Sequence, residues 1–229
     1  MAEEEELTNA PRVVGVLSAL LERVVERNDA AAAADEPAAA SPAPASSAFR
    51  ATTRPDISVR AYMARIARFA GCSPACYVVA YVYLDRLLRR RRALAVDSYS
   101  VHRLLITAVL AAVKFMDDVS YNNAYFARVG GIRLPEMNYL EVDFLFAVGF
   151  DLNVSPETFG HYCAILHSEM LCLELETITP AGSAGGPRLQ HGCCLTEDDD
   201  GTANTNSCVE TRDRYRDRFQ ASGACTVTL

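Results

Sequence analysis

Between residues 54 and 178 the chain carries helix start and stop signals at close intervals, and no segment alternates apolar and polar residues as a strand does. The stretch TRPDISVRAYMARIARFAGC places Ile57, Tyr62, Met63, Ile66 and Phe69 at helical spacing behind Asp56 as cap, and Gly71 ends it. SPACYVVAYVYLDRLLRR opens with Ser73 at the cap and Pro74 at the first helical position. It is apolar almost all round, so it belongs at the centre of a bundle. DSYSVHRLLITAVLAAVKFMDD starts at a cap such as Asp97 or Ser98, and NNAYFARVGG is a short helix between an Asn cap and a double-glycine stop. LPEMNYLEVDFLFAVGF runs from Pro135 toward Gly149. A second Ser-Pro start at Ser155 opens a helix with Phe159, Tyr162, Ile165, Leu166 and Leu173 turned inward. Five consecutive helices followed by a further one predict an all-α domain.

The flanks read differently. Val13, Leu17, Leu20, Leu21, Val24 and Val25 form one helical stripe within residues 11–27. A helix of that length is marginal alone and is expected to dock on the main domain. Residues 28–53, rich in Ala, Pro and Ser, read as a flexible linker, because little bulky apolar surface offsets their chain entropy. Residues 179–229 are Gly-rich and polar and are expected to be disordered. The division is therefore an arm over 1–27, the linker, a folded unit over 54–178 and a tail over 179–229.

Composition excludes several functions. The acidic opening MAEEEE lacks the basic and apolar parts of a signal peptide, and no apolar run is long enough for a membrane span. Eight cysteines at irregular spacings without a secretion signal suggest free thiols in a reducing compartment, nuclear or cytoplasmic. A net charge of −7 argues against direct nucleic-acid binding. The glycines at 182–186 neither follow a strand nor lead to a Lys-Ser/Thr pair, so they cradle no phosphate. His161, Cys163 and His167 share a helix, but a residue two positions on faces away, which disfavours a zinc site. Cys72 and Cys76 read as small buried thiols, and Cys193 and Cys194 fall in the tail. No serine sits in a nucleophile elbow. No enzyme, cofactor or metal is expected. The one basic run, RLLRRRRAL, reads as a solvated loop placing positive charge at a helix C-terminus, with an import signal or anion patch as the alternative.

Lys114 is the only lysine of the chain and sits in the apolar segment TAVLAAVKFMDD, with Asp117 and Asp118 just after it. An unpartnered buried ammonium costs several kcal/mol, on the order given for ions in proteins. Lys114 must therefore pair with Asp117, Asp118 or Glu141, or stand at a surface that a partner covers. Acids at a helix C-terminus oppose the helix dipole, which leaves both readings open.

Residues 54–154 resemble the cyclin box, the five-helix module of cyclins, and are most similar to the plant P-type (U-type) cyclins, which are similar to the fungal phosphate-signalling cyclins. SVRAYMARIARFAGCSPACYVVAYVYLDR, LLITAVLAAVKFMDDVSYNNAYFARVGGI and LPEMNYLEVDFLFAVGFDLNVSPETF carry the resemblance, above all the order Lys114, Asp117-Asp118, Asn122-Asn123, Gly130-Gly131. It implies a single cyclin box with one added N-terminal and one added C-terminal helix, since the remainder after Pro156 is too short for a second box. It also implies a regulatory subunit that binds and activates a cyclin-dependent serine/threonine kinase, in cell division or phosphate-linked signalling. Lys114 and Glu141 correspond to the pair that holds the kinase's regulatory helix. Asp117, Asp118, Tyr125 and Phe126 join them as kinase-binding candidates, and Phe115, Leu140 and Phe144 lie nearby as core or contact residues. The rivals are a cyclin-fold transcription-associated factor, which predicts a basic face and two boxes, and a non-catalytic helical adaptor. Many cell-cycle cyclins also offer an apolar groove on the first box helix to short basic-hydrophobic docking peptides. Val59, Met63 and Ile66 lie at the corresponding turns, so some apolar surface is expected there, but Arg65 stands where an acid is usual and should repel such peptides.

Overall fold

The computed structural model describes residues 11–34, 47–118 and 121–178, and the predicted tail lies outside them. Within these residues the chain is all-helical: α1 (Arg12–Ala34), α2 (Val59–Ala70), α3 (Pro74–Arg90), α4 (Val101–Met116), α5 (Asn123–Gly130), α6 (Leu134–Ala147) and α7 (Pro156–Ile178). The five helices α2 to α6 follow one another as the punctuation predicts. α3 and α4 pack broadly on each other, α1 lies on α2, and α7 closes against α1 and α3.

The caps explain most of the boundaries. Ser58, not Asp56, caps α2: its Oγ accepts the Ala61 N–H at 3.1 Å, so the helix begins later than the acid suggests. Ser73 and Pro74 open α3. Asp97 accepts the Tyr99 and Ser100 N–H groups in the turn before α4, and Asn122 accepts from Tyr125 at the start of α5. Gly131 ends α5 in the left-handed conformation.

α4 is buried from Val101 to Val113, with only Arg103 partly exposed in that span, and this makes it the axis of the core. Around it Tyr77, Tyr81 and Tyr83 are wholly buried. The Tyr83 hydroxyl donates to the Leu152 carbonyl at 2.6 Å. Tyr162 of α7 meets Tyr81 edge-on and donates to Asp85, a buried carboxylate that Arg89 also holds. These bonds satisfy polar tips that would otherwise be costly inside.

The expected linker over 28–53 is corrected at both ends. α1 does not stop at Arg27 but continues through five alanines to Ala34. Once a helix is nucleated and docked, Ala is its best continuation. Asn28 donates to the Val96 carbonyl and Asp29 accepts the Ser98 N–H, which tie this extension down. At the other end Phe49 is wholly buried and meets Phe144 edge-on, while Arg50 pairs with Asp97 and lies over the Tyr99 ring. Fully burying one Phe is worth about 2–3 kcal/mol, enough to seat a segment whose average composition looks structureless. Residues 35–46 lie outside the described residues.

Candidate functional site

Three helices bring the site together. α4 delivers Lys114 on its last turn, α5 delivers Asn123 at its start, and α6 delivers Asn138 and Glu141. The Lys114 Nζ donates to Glu141 Oε1 at 2.6 Å. The Asn123 Nδ2 donates to Glu141 Oε2 at 2.6 Å and to Asn138 Oδ1 at 2.9 Å. Both carboxylate oxygens are thus held from opposite sides, which fixes the carboxylate's direction. The lysine side chain is 36% exposed and the glutamate 15%. Pairs this accessible contribute only about 0–1 kcal/mol, so the arrangement positions two charges more than it stabilises the fold. One ammonium proton is used, and two remain for an acceptor outside the chain.

Asp117 has a different task. Its carboxylate accepts the Ser73 hydroxyl at 3.2 Å and the Ser73 N–H at 3.4 Å, at the start of α3. An acid that opposes the dipole of its own helix therefore sits favourably at the N-terminus of another. Asp118 is exposed. Tyr125 donates its hydroxyl to the Phe69 carbonyl at 2.7 Å and stacks on Tyr121 at 4.0 Å. The expectation that Phe126 contacts a partner is corrected: its ring is wholly buried and belongs to the core, because α5 turns it inward with Ala127 and Val129.

An open concavity lined by Lys114, Tyr121, Asn122, Asn123, Ala124 and Leu134 lies beside the pair. Exposed apolar side chains stand on the same elements: Phe115 and Met116 at the end of α4, and Tyr139, Val142 and Phe146 along α6. Phe146 is 67% exposed and meets Phe150 edge-on at 5.1 Å. α6 is apolar on two faces, with Met137, Leu140, Phe144 and Ala147 turned into the core. The outward face is not apparent when apolar positions on this helix are taken mainly as core. Its signal is the near absence of polar residues from NYLEVDFLF.

The backbone at Phe150 is unusual. Gly149 and Phe150 both adopt the left-handed conformation, with φ of 64° and 57°. A Cβ on Gly149 would lie 2.5 Å from Arg90 Nη1. A bulky residue held this way stores on the order of 1–2 kcal/mol. The basic run holds it there. Arg86 donates to the Asp151 and Asn153 carbonyls at 2.6 and 2.9 Å, Arg90 pairs with Asp151, and Arg91 grips Asp143 with two bonds at 2.9 and 3.1 Å. The expected solvated loop is instead a clamp on the segment that presents Phe150.

The turns matched to the docking groove are not a surface. Val59, Met63 and Ile66 are all buried, because α1 lies on α2 and closes that side. The apolar surface expected at these three positions is absent.

Among the described residues no group of three or more His, Cys, Asp or Glu side chains is placed to hold a metal, and no helix is long and apolar enough to cross a membrane.

A protein-family model, Cyclin, matches residues 11–152, so the match begins at the foot of α1 rather than at α2. Among similar proteins, Cyclin-P4-1 of Oryza sativa subsp. japonica is 64% identical over 190 residues, 83% of this chain and 85% of the relative. Cyclin-U4-1 of Arabidopsis thaliana is 49% identical over 174 residues, covering 76% and 84%. Cyclin-P2-1 of Oryza sativa subsp. japonica is 48% identical over 164 residues, covering 71% and 73%.

Proposed function

The chain belongs to the cyclin family and groups with its plant P- and U-type members, and from that premise we propose that it binds and activates a cyclin-dependent serine/threonine kinase. The observation that carries the reading is the Lys114–Glu141 pair, formed in the free chain and accompanied by exposed apolar side chains. A kinase is active when a glutamate of its regulatory helix pairs with the lysine that contacts the ATP phosphates. A rigid surface that binds the helix-in state better than the helix-out state shifts the population toward activity. Lys114 supplies donors to backbone carbonyls of that helix, and Glu141 supplies acceptors to its N–H groups. Phe115, Phe146 and Phe150 add apolar area around these polar contacts. Asp118 stands beside them as a contact, while Asp117 and Tyr125 act by holding α3 and α2 in register with the site. The chain performs no chemistry itself, and its output is cell division or phosphate-linked signalling.

The test is a pull-down of cyclin-dependent kinases with the wild-type chain, Lys114→Ala and Glu141→Ala, followed by phosphorylation of a generic substrate. The wild type is expected to capture a kinase and raise its activity. Each variant is expected to lose capture while its melting curve shifts by no more than about 1 kcal/mol of stability. A variant that loses helicity in step with binding would assign the pair a structural role only.

A further inference from the structure

Most arginines that carry an ion pair in this chain are matched to a carboxylate across two elements, as in Arg23–Glu169, Arg91–Asp143 and Arg103–Glu136. The face shared by α2 and α5 is different. Arg65 donates to the Arg128 carbonyl at 3.1 Å, and its guanidinium lies against Gly131. Arg128 lies over the Tyr125 ring at 5.6 Å, and Tyr125 in turn is bonded to the Phe69 carbonyl. Arg68, one turn from Arg65, lies over Phe69 at 5.4 Å. Arg133 is exposed two residues past Gly131. Among the described residues, Arg65, Arg128 and Arg133 are paired with no carboxylate. Glu136, the acid close to them in sequence, is already taken by Arg103.

We propose that this face is a docking site for a short acidic peptide segment carrying one apolar side chain. The arginines offer forked donors with no acid of their own, and these suit carboxylates or phosphates. Phe69 is 45% exposed among them and offers the apolar half of the contact. A peptide fits better than a nucleic acid or an anionic membrane. The basic area is confined to two short helices and the turn after them, and the chain as a whole carries −7, which repels an extended polyanion. The inference makes no use of the Lys114–Glu141 pair, so it stands or falls apart from kinase binding.

The experiment is fluorescence polarisation of the full chain with a labelled peptide of glutamates around a central leucine. The same peptide with lysine for glutamate, an oligothymidylate and vesicles rich in anionic lipid serve as competitors. Saturable binding is expected, weaker at about 300 mM than at about 50 mM salt because charges outside the core are screened. Arg128→Glu combined with Arg133→Glu is expected to weaken it at least about tenfold. Neither side chain hydrogen-bonds within the described fold, so the melting curve should hold. Arg92→Glu, on the exposed stretch after α3, should leave binding unchanged. Phe69→Ser should abolish the preference for leucine over glycine at the centre of the peptide. Absence of saturation, full binding by the doubly reversed variant, or tighter binding of the oligonucleotide or vesicles would overturn the proposal.

Discussion

At the scale of the residue, a lone lysine and the acids after it first pose a single question, and the structure divides it. Lys114 pairs with Glu141, 27 residues away, while Asp117 serves the start of α3. The pairing partner was legible only as one of three candidates, because sequence spacing does not say which helix lies beside α4. Asn123, which orients Glu141 from the other side, was visible only as part of an Asn-Asn pattern. His102 shows a residue whose role was not legible at all. Its Nε2–H donates to the Ile57 carbonyl at 2.9 Å, its ring meets Tyr62 edge-on, and its Nδ1 is buried without a partner. Burial lowers its pKa below the ordinary 6.5, and the Ile57 bond only partly opposes this. Below pH 6.5 the unfolded chain therefore binds more protons at this site than the folded chain. The stability that the neutral ring supports is present above that pH and declines as pH falls toward the folded pKa. Urea melts between pH 7.5 and 5 are expected to show this decline. In His102→Gln, which keeps a donor for Ile57 without a titratable ring, the decline is expected to be shallower. Equal slopes in the two proteins would remove His102 as its source.

At the scale of the element, the helices from α2 to α6 were legible because three independent signals agreed: periodicity, N-terminal caps and glycine stops. The errors fall where one signal stood alone. Composition without periodicity made a linker of 28–34 and 47–53, though alanines extend a docked helix and one phenylalanine anchors a strap. Apolar content without attention to faces made α6 a core helix, though Tyr139, Val142 and Phe146 point outward. α2 gives the most consequential correction. By sequence, Val59, Met63 and Ile66 stand at the turns of a docking groove, and only the charge of Arg65 argues against peptide binding there. The structure adds a stronger reason, since all three side chains are buried in contact with the core that α1 completes. A labelled basic-hydrophobic docking peptide is therefore expected to show no saturable binding to the full chain, even at high salt, where repulsion by Arg65 is screened. Salt-insensitive micromolar binding, weakened by Met63→Ala, would mean that α1 leaves α2 in solution.

At the scale of the whole molecule, α1 is what turns five box helices into a closed core. Ten of its residues are buried, against α2, α3 and α7, and the family match begins with it rather than with α2. Its apolar stripe was legible, but its necessity was not, because a sequence shows that a helix has a face to bury and not which face elsewhere depends on it. Removing residues 1–34 would uncover Val59, Met63 and Ile66 and the core side of α7 together. It would also break Arg23–Glu169, the Glu22 contact to Arg60, and the ties of Asn28 and Asp29 to the turn before α4. Each large buried aliphatic side chain lost from such a face removes about 1.5–3 kcal/mol, while whole domains hold only about 5–15 kcal/mol in reserve. Several of them exceed that reserve, so the truncated chain is expected to be unfolded or insoluble rather than merely weakened. Replacing residues 35–46 with a Gly-Ser segment of equal length changes none of these contacts and is expected to leave the melting temperature within a few degrees. The comparison is made by circular dichroism and chemical denaturation of the two altered chains beside the full chain. A cooperative, wild-type-like transition in the chain lacking 1–34 would show that α2 to α7 close a core without α1, and the burial of the α2 face would then need another cause.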